Sequence, residues 1–178
     1  MSSFHKPKIR IGDVERAIRS PGKVLRNWIN LKQVTLWGAS SGKWREFSQA
    51  ELLHLALVRA LVNHGVPVEV ADGLSLDTLS AHFSMFNGDE DALERVLVKF
   101  RSLLLFLIFK QPDETDPGGW QLFEMQAGGT IRLDGDAGFV VLVPGDIFAD
   151  ALFRAYHEGD LPIGLTVQRR SFEVREVL

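Results

Sequence analysis

Residues 11–30 read Ile11-Gly12-Asp13-Val14-Glu15-Arg16-Ala17-Ile18-Arg19-Ser20-Pro21-Gly22-Lys23-Val24-Leu25-Arg26-Asn27-Trp28-Ile29-Asn30. Ile11, Val14 and Ile18 fall on one side of a short helix expected over Asp13–Ile18. Ser20-Pro21 then reads as a second helix start, since serine can cap and proline suits the first turn. That helix is expected to run to about Asn30 and to bury Leu25 and Trp28. Two short helices joined so tightly form a helix-turn-helix unit.

Working outward, Val34–Trp37 and Lys43–Phe47 are short strand candidates, and Gly38-Ala39-Ser40-Ser41-Gly42 between them reads as a hairpin tip. Ser48 and Glu51 form an S-x-x-E capping box that opens a long helix. Leu53, Leu57, Ala60 and Leu61 lie on one face of it, and Leu55, Val58 and Val62 on another, so the helix is expected to be buried on two sides. Gly65 ends it, and Pro67 starts a further short turn of helix. Gly73–Ser75 and Asn87-Gly88 read as breaks.

Asp91–Arg101 is amphipathic, with Ala92, Leu93, Val96, Leu97 and Phe100 inward. The period then changes. Leu103–Phe109, Trp120–Met125, Thr130–Leu133 and Phe139–Val143 read as antiparallel strands separated by Pro112–Gly119, Ala127–Gly129 and Asp134–Gly138. Asp146–His157 is a last helix with Phe148, Leu152 and Tyr156 inward, and Ile163–Val167 and Phe172–Val177 are candidate late strands. The expected class is α+β: an N-terminal winged helix-turn-helix over residues 1–73, then a small α+β domain with an antiparallel sheet over 74–178.

In a helix-turn-helix the second helix enters the major groove and its early residues reach base edges. Here these are Gly22, Lys23, Arg26 and Asn27. Lys23 and Arg26 are three apart and share a face, with Asn27 beside them, while Leu25 and Trp28 point to the core. Arginine can pair bidentately with guanine, and asparagine with adenine. Lys43-Trp44-Arg45 at the hairpin suits phosphate or minor-groove contact, as a wing does. Arg16 adds a further cation on the first helix. Trp37 and Trp44 read as packing residues of the hairpin.

Ile11-Gly12-Asp13-Val14, Leu25-Arg26-Asn27-Trp28, Lys43-Trp44-Arg45-Glu46-Phe47-Ser48, Glu51-Leu52 and Leu61-Val62-Asn63-His64-Gly65-Val66-Pro67, in this order and spacing, resemble the DNA-binding domain of the MerR family over about residues 9–72. The resemblance implies that Lys23 and Arg26 are recognition-helix contacts and that Arg45 is the wing arginine. It sets Trp28 where the family has an aromatic that packs or touches the DNA backbone. Glu15 and Arg19 depart from the family, which has a small residue and a turn glycine there. The family's long dimerisation helix and metal-ligating cysteines are also missing.

Charge points the same way. Residues 1–47 hold ten basic and three acidic side chains, a net of +7, and the remaining 131 residues hold ten basic and twenty acidic, a net of −10. A basic block on an acidic body is the footprint of a polyanion-binding module. With no cysteine in the chain, disulfides, thiolate zinc sites and thiol catalysis are excluded. His5, His54, His64, His82 and His157 form no metal-like cluster, and Asp134-Gly135-Asp136 lacks the glutamate of a calcium loop. No P-loop, dinucleotide turn or nucleophile motif is present, so no catalytic residue, metal or cofactor is assigned. No secretory or membrane-spanning stretch is visible, and a cytoplasmic location is expected.

The reading is a sequence-specific, double-stranded DNA-binding transcriptional regulator, not an enzyme. Its C-terminal half is expected to support a homodimer through residues after about 88, because Leu103–Phe109 is apolar on both faces and needs two covers. That half is also the place for a protein partner or small ligand. The alternatives are an architectural, excisionase-like or packaging DNA-binding factor, and a protein-interaction adaptor whose basic half meets an acidic protein.

Overall fold

Helices α1 (Ile11–Ala17), α2 (Gly22–Asn30) and α3 (Gln49–Asn63) all stop in the same way. A residue at positive φ follows each C-cap: Arg19 at +49°, Lys32 at +55° and Gly65 at +88°. Its amide and the next one turn back onto the last helical turn. Ser20 N–H reaches Glu15 O at 3.1 Å, Gln33 N–H reaches Trp28 O at 2.8 Å, and Val66 N–H reaches Leu61 O at 3.3 Å. This is the Schellman arrangement, which satisfies carbonyls that the helix leaves open. Only Gly65 announces it in the sequence.

The computed structural model describes residues 8–37, 45–83, 92–111, 118–126 and 139–156. The expected hairpin tip with Lys43 and Trp44, the breaks at Asn87-Gly88 and Asp134–Gly138, and the expected strands Thr130–Leu133, Ile163–Val167 and Phe172–Val177 lie outside them. The remaining elements are β1 (Ile9–Arg10), β2 (Glu46–Phe47), α4 (Val68–Phe83), α5 (Ala92–Arg101), β3 (Leu103–Lys110), β4 (Gly119–Gln126), β5 (Phe139–Leu142) and α6 (Pro144–Ala155). The class is α+β, with helices and small antiparallel sheets.

Three local expectations are corrected. Ser20 does not cap α2: the N-cap is Pro21 and no side chain bonds there. The Glu15 carboxylate lies over the start of α2 instead, and a Cβ at Gly22 would stand 2.5 Å from its Oε1. A negative charge there complements the helix dipole without a capping bond. Second, Val34–Trp37 is not a strand. Phe47 and Glu46 pair with Ile9 and Arg10 instead, and the Thr35 amide that a ladder would use donates to the Asp72 carboxylate at 2.8 Å. Third, Gly73–Ser75 is no break. It lies inside α4, which runs on from the expected short turn. A mid-helix glycine costs only about 1 kcal/mol, and Ala71, Ser75 and Leu79 are buried along the same helix.

The capping box is formed as expected: Ser48 Oγ accepts the Glu51 N–H at 3.1 Å, and Glu51 Oε2 accepts the Ser48 N–H at 2.9 Å. Helix α3 is buried almost all round and packs on α4 and α6. The second sheet has the order β4-β3-β5, antiparallel throughout. Leu103, Leu105 and Leu107 of β3 are buried on its inner face, with α5 and α6 against the strand. Leu93, Val96, Leu97 and Phe100 of α5 are buried as its spacing predicts.

Helix α6 ties the two ends of the chain together. It packs on α5 and β3, and equally on α1 and α3. Phe148 stands edge-on to Phe100 with ring centroids 5.0 Å apart. One apolar core therefore runs from Ile9 to Ala155.

Candidate nucleic-acid interface

Helix α2 has a sharp division of faces. Leu25 and Trp28 are buried in the core, while Lys23, Arg26 and Asn27 are exposed on the opposite side. The α1–α2 turn sets this orientation. Arg19 takes the left-handed conformation, with φ at +49°, so the chain makes the turn without glycine, the residue that makes it easily.

Each of the three candidate arginines of the basic block has a carboxylate partner. Arg26 Nε stands 3.5 Å from Glu15 Oε1, with the arginine side chain 62% exposed. Arg16 Nη2 donates to Asp13 Oδ1 at 2.6 Å, and its Nε donates to the Arg154 carbonyl at 2.9 Å. Arg16 is thereby held between α1 and α6. Arg45 Nη2 donates to the fully buried Glu51 at 3.0 Å, and its guanidinium lies 5.4 Å above the Phe47 ring. Glu51 thus serves the capping box with one oxygen and Arg45 with the other.

Lys23 and Asn27 are exposed on α2 and make no ion pair or side-chain hydrogen bond among the described residues. Trp28 is 5% exposed. Of the two roles the resemblance allows it, its burial is that of a packing residue. Lys43 lies outside the described residues. Lys8, Arg10 and Arg45 converge on a cleft of about 910 Å³ between β1, the start of α1 and the end of α6, with Asp13, Glu46 and Tyr156 also on its wall. Burial raises the Tyr156 hydroxyl above the usual tyrosine range, partly offset by its hydrogen bond from Gln49.

Sequence reasoning missed two groups that position this surface. The first is Glu15, an α1 residue whose carboxylate lies over the start of α2. The second is the acidic and carbonyl face of α6: Asp150 holds Arg19 at 3.4 Å and Arg154 at 2.9 Å, and the Asp150 hydrogen bond raises the Arg154 pKa. The only sequence signal for them was their departure from the expected residue type at Glu15 and Arg19.

No helix among the described residues is long and apolar enough to cross a membrane. Comparison with protein-family models and with curated proteins gives no match.

Proposed function

We propose that the chain binds double-stranded DNA through residues of about 9–72, with α2 in the major groove, and acts as a sequence-specific transcriptional regulator rather than an enzyme. The observation that carries this reading is the division of α2. Lys23, Arg26 and Asn27 share the solvent face of a helix whose other face is anchored by Leu25 and Trp28. These are side chains suited to phosphate and base-edge contact, on a rigid element, in the half of the chain with the positive net charge. Arg45 takes the backbone-positioning role beside them. The Arg26 side chain is 62% exposed and its guanidinium stands 3.5 Å from Glu15 Oε1, so most of its donors face solvent on the same side as Lys23 and Asn27.

A homodimer fits this reading, because one such module reads a short site and two copies read a two-fold one. The outer face of the second sheet supports it. Phe123 and Val141 stand opposite Phe106, and Phe139 stands opposite Ile108. Phe123, Val141 and Phe139 are exposed, and Gln121 is their polar neighbour on β4. Charge is depleted in the same way at the centre of subunit contacts. Sedimentation of the full chain at tens of micromolar tests this part, and a monomer there rejects it.

Selection of bound sequences from a random duplex pool tests the main claim on the full chain. A regulator enriches a defined site. Absence of any duplex binding at low salt rejects the reading.

A further inference from the structure

The segment that leaves α2 has no strand to hold it among the described residues, yet it is fixed at several points. Val34 is buried in the core. Gln33 Nε2 donates to Glu69 Oε1 at 2.7 Å. The Thr35 amide donates to Asp72 Oδ1 and its hydroxyl to Asp72 Oδ2, both at 2.8 Å. Glu69 and Asp72 are three residues apart on α4 and so share one face of it.

Behind Asp72 lies a buried relay. His54, fully buried on α3, has its Nε2 at 2.8 Å from Asp72 Oδ1 and its Nδ1 at 2.9 Å from the hydroxyl of Ser75, which is also fully buried. With a carboxylate opposite, Nε2 carries the proton and donates. The Trp37 ring packs edge-on to His54, centroids 5.2 Å apart. Asp72 thus accepts three hydrogen bonds, one from α3 and two from the segment.

Such a network is a poor way to hold two helices together. Leucines pack α3 on α4 as well without desolvating a carboxylate, and buried ionic groups often contribute nothing to net stability. What the network does provide is direction: the carboxylate is aimed by His54, and the segment is aimed by the carboxylate.

We propose that Asp72, aimed by His54 and Ser75, is a positioning residue that clamps Thr35 and so fixes how residues 33–37, which follow α2, are presented to DNA. This rests on the DNA-binding reading given above. None of the three clamp residues needs to touch DNA. They act through the segment.

The test uses the full chain and a duplex enriched from the random pool. Thr35 is exposed, so Thr35→Val leaves the core intact, keeps the amide bond and removes the hydroxyl bond. It is expected to lower affinity about threefold to tenfold, the size of one net hydrogen bond, in a protein that still unfolds cooperatively. Thr35→Ser, which restores the hydroxyl, should recover the affinity. Asp72→Asn should lower affinity at least as much and speed hydrogen exchange at the Thr35 amide. Wild-type binding together with Thr35→Val and Asp72→Asn affinities within about twofold of it overturns the proposal alone, as does an affinity loss that Thr35→Ser does not recover. Failure of the wild type to bind any duplex overturns the DNA reading itself, and the positioning role falls with it.

Discussion

Arg19 and Gly145 sit in opposite backbone situations, and substitution should reverse the sign of the effect between them. Arg19 holds φ at +49° with a side chain that disfavours it, and its ion pair to Asp150 is exposed and 3.4 Å long. Arg19→Gly is expected to stabilise the protein by about 0.5–1 kcal/mol, the relief of a left-handed side-chain clash less the added freedom of the unfolded glycine. Gly145 lies in the first turn of α6 against α5. A Cβ there would meet Phe100 O at 2.8 Å and Arg101 Cα at 2.9 Å. Both are backbone atoms and cannot swing away, so Gly145→Ala should destabilise by about 1–3 kcal/mol. Urea midpoints of the two variants check both signs. The same reasoning shows why Arg45→Ala is a poor probe of DNA contact: it strips a partner from the buried Glu51 carboxylate, and lost stability would then be mistaken for lost binding.

At the scale of elements, the acid response of the α3–α4 clamp follows from Asp72. Burial acts to raise its pKa, but the His54 hydrogen bond, the two Thr35 donors and the electrostatic pull of the nearby imidazole outweigh it and hold the carboxyl below the usual aspartate value. A depressed folded-state pKa stabilises the fold above the unfolded value, and that contribution is lost as pH falls through the folded one. Stability should therefore fall as pH drops below about 4, and Asp72→Asn should flatten that part of the curve. Thermal melts between neutral pH and pH 2 measure the difference. How readable these elements were follows from where their determinants lie. The capping box at Ser48 and Glu51, the stripe of α5 and the apolar run of β3 are local patterns, and the structure has them where the sequence puts them. The hairpin expected over Val34–Phe47 failed because the deciding partner of Thr35 is Asp72, 37 residues away. The break expected at Gly73 failed for a related reason, since burial of Ser75 and Leu79 overrides glycine's weak local preference. The face of α2 was legible because a three-residue spacing and two apolar anchors suffice to divide it. Glu15 over the start of that helix was not, because only the folded turn brings it there.

Across the whole molecule, α6 decides what can be separated. It covers α1 and α3 as fully as it covers α5, and it holds Arg16 and Arg19 through Arg154 and Asp150. The fragment 1–72 would expose the faces of α1 and α3 that α6 now buries. It is expected to lose cooperative unfolding in urea, whereas a sharp transition in that fragment would show that α6 is dispensable to it. Binding is therefore tested on the intact chain. The charge division between residues 1–47 and the rest predicts affinity that falls steeply with salt, by counterion release. The most direct test of the central claim is the sequence profile and salt dependence of duplex binding for wild type and Arg26→Ala. The wild type is expected to enrich one defined site, and Arg26→Ala to bind it about 1–3 kcal/mol more weakly and to lose preference at one base pair. Equal affinity of the two proteins for every duplex, or no duplex binding by either at low salt, would contradict it.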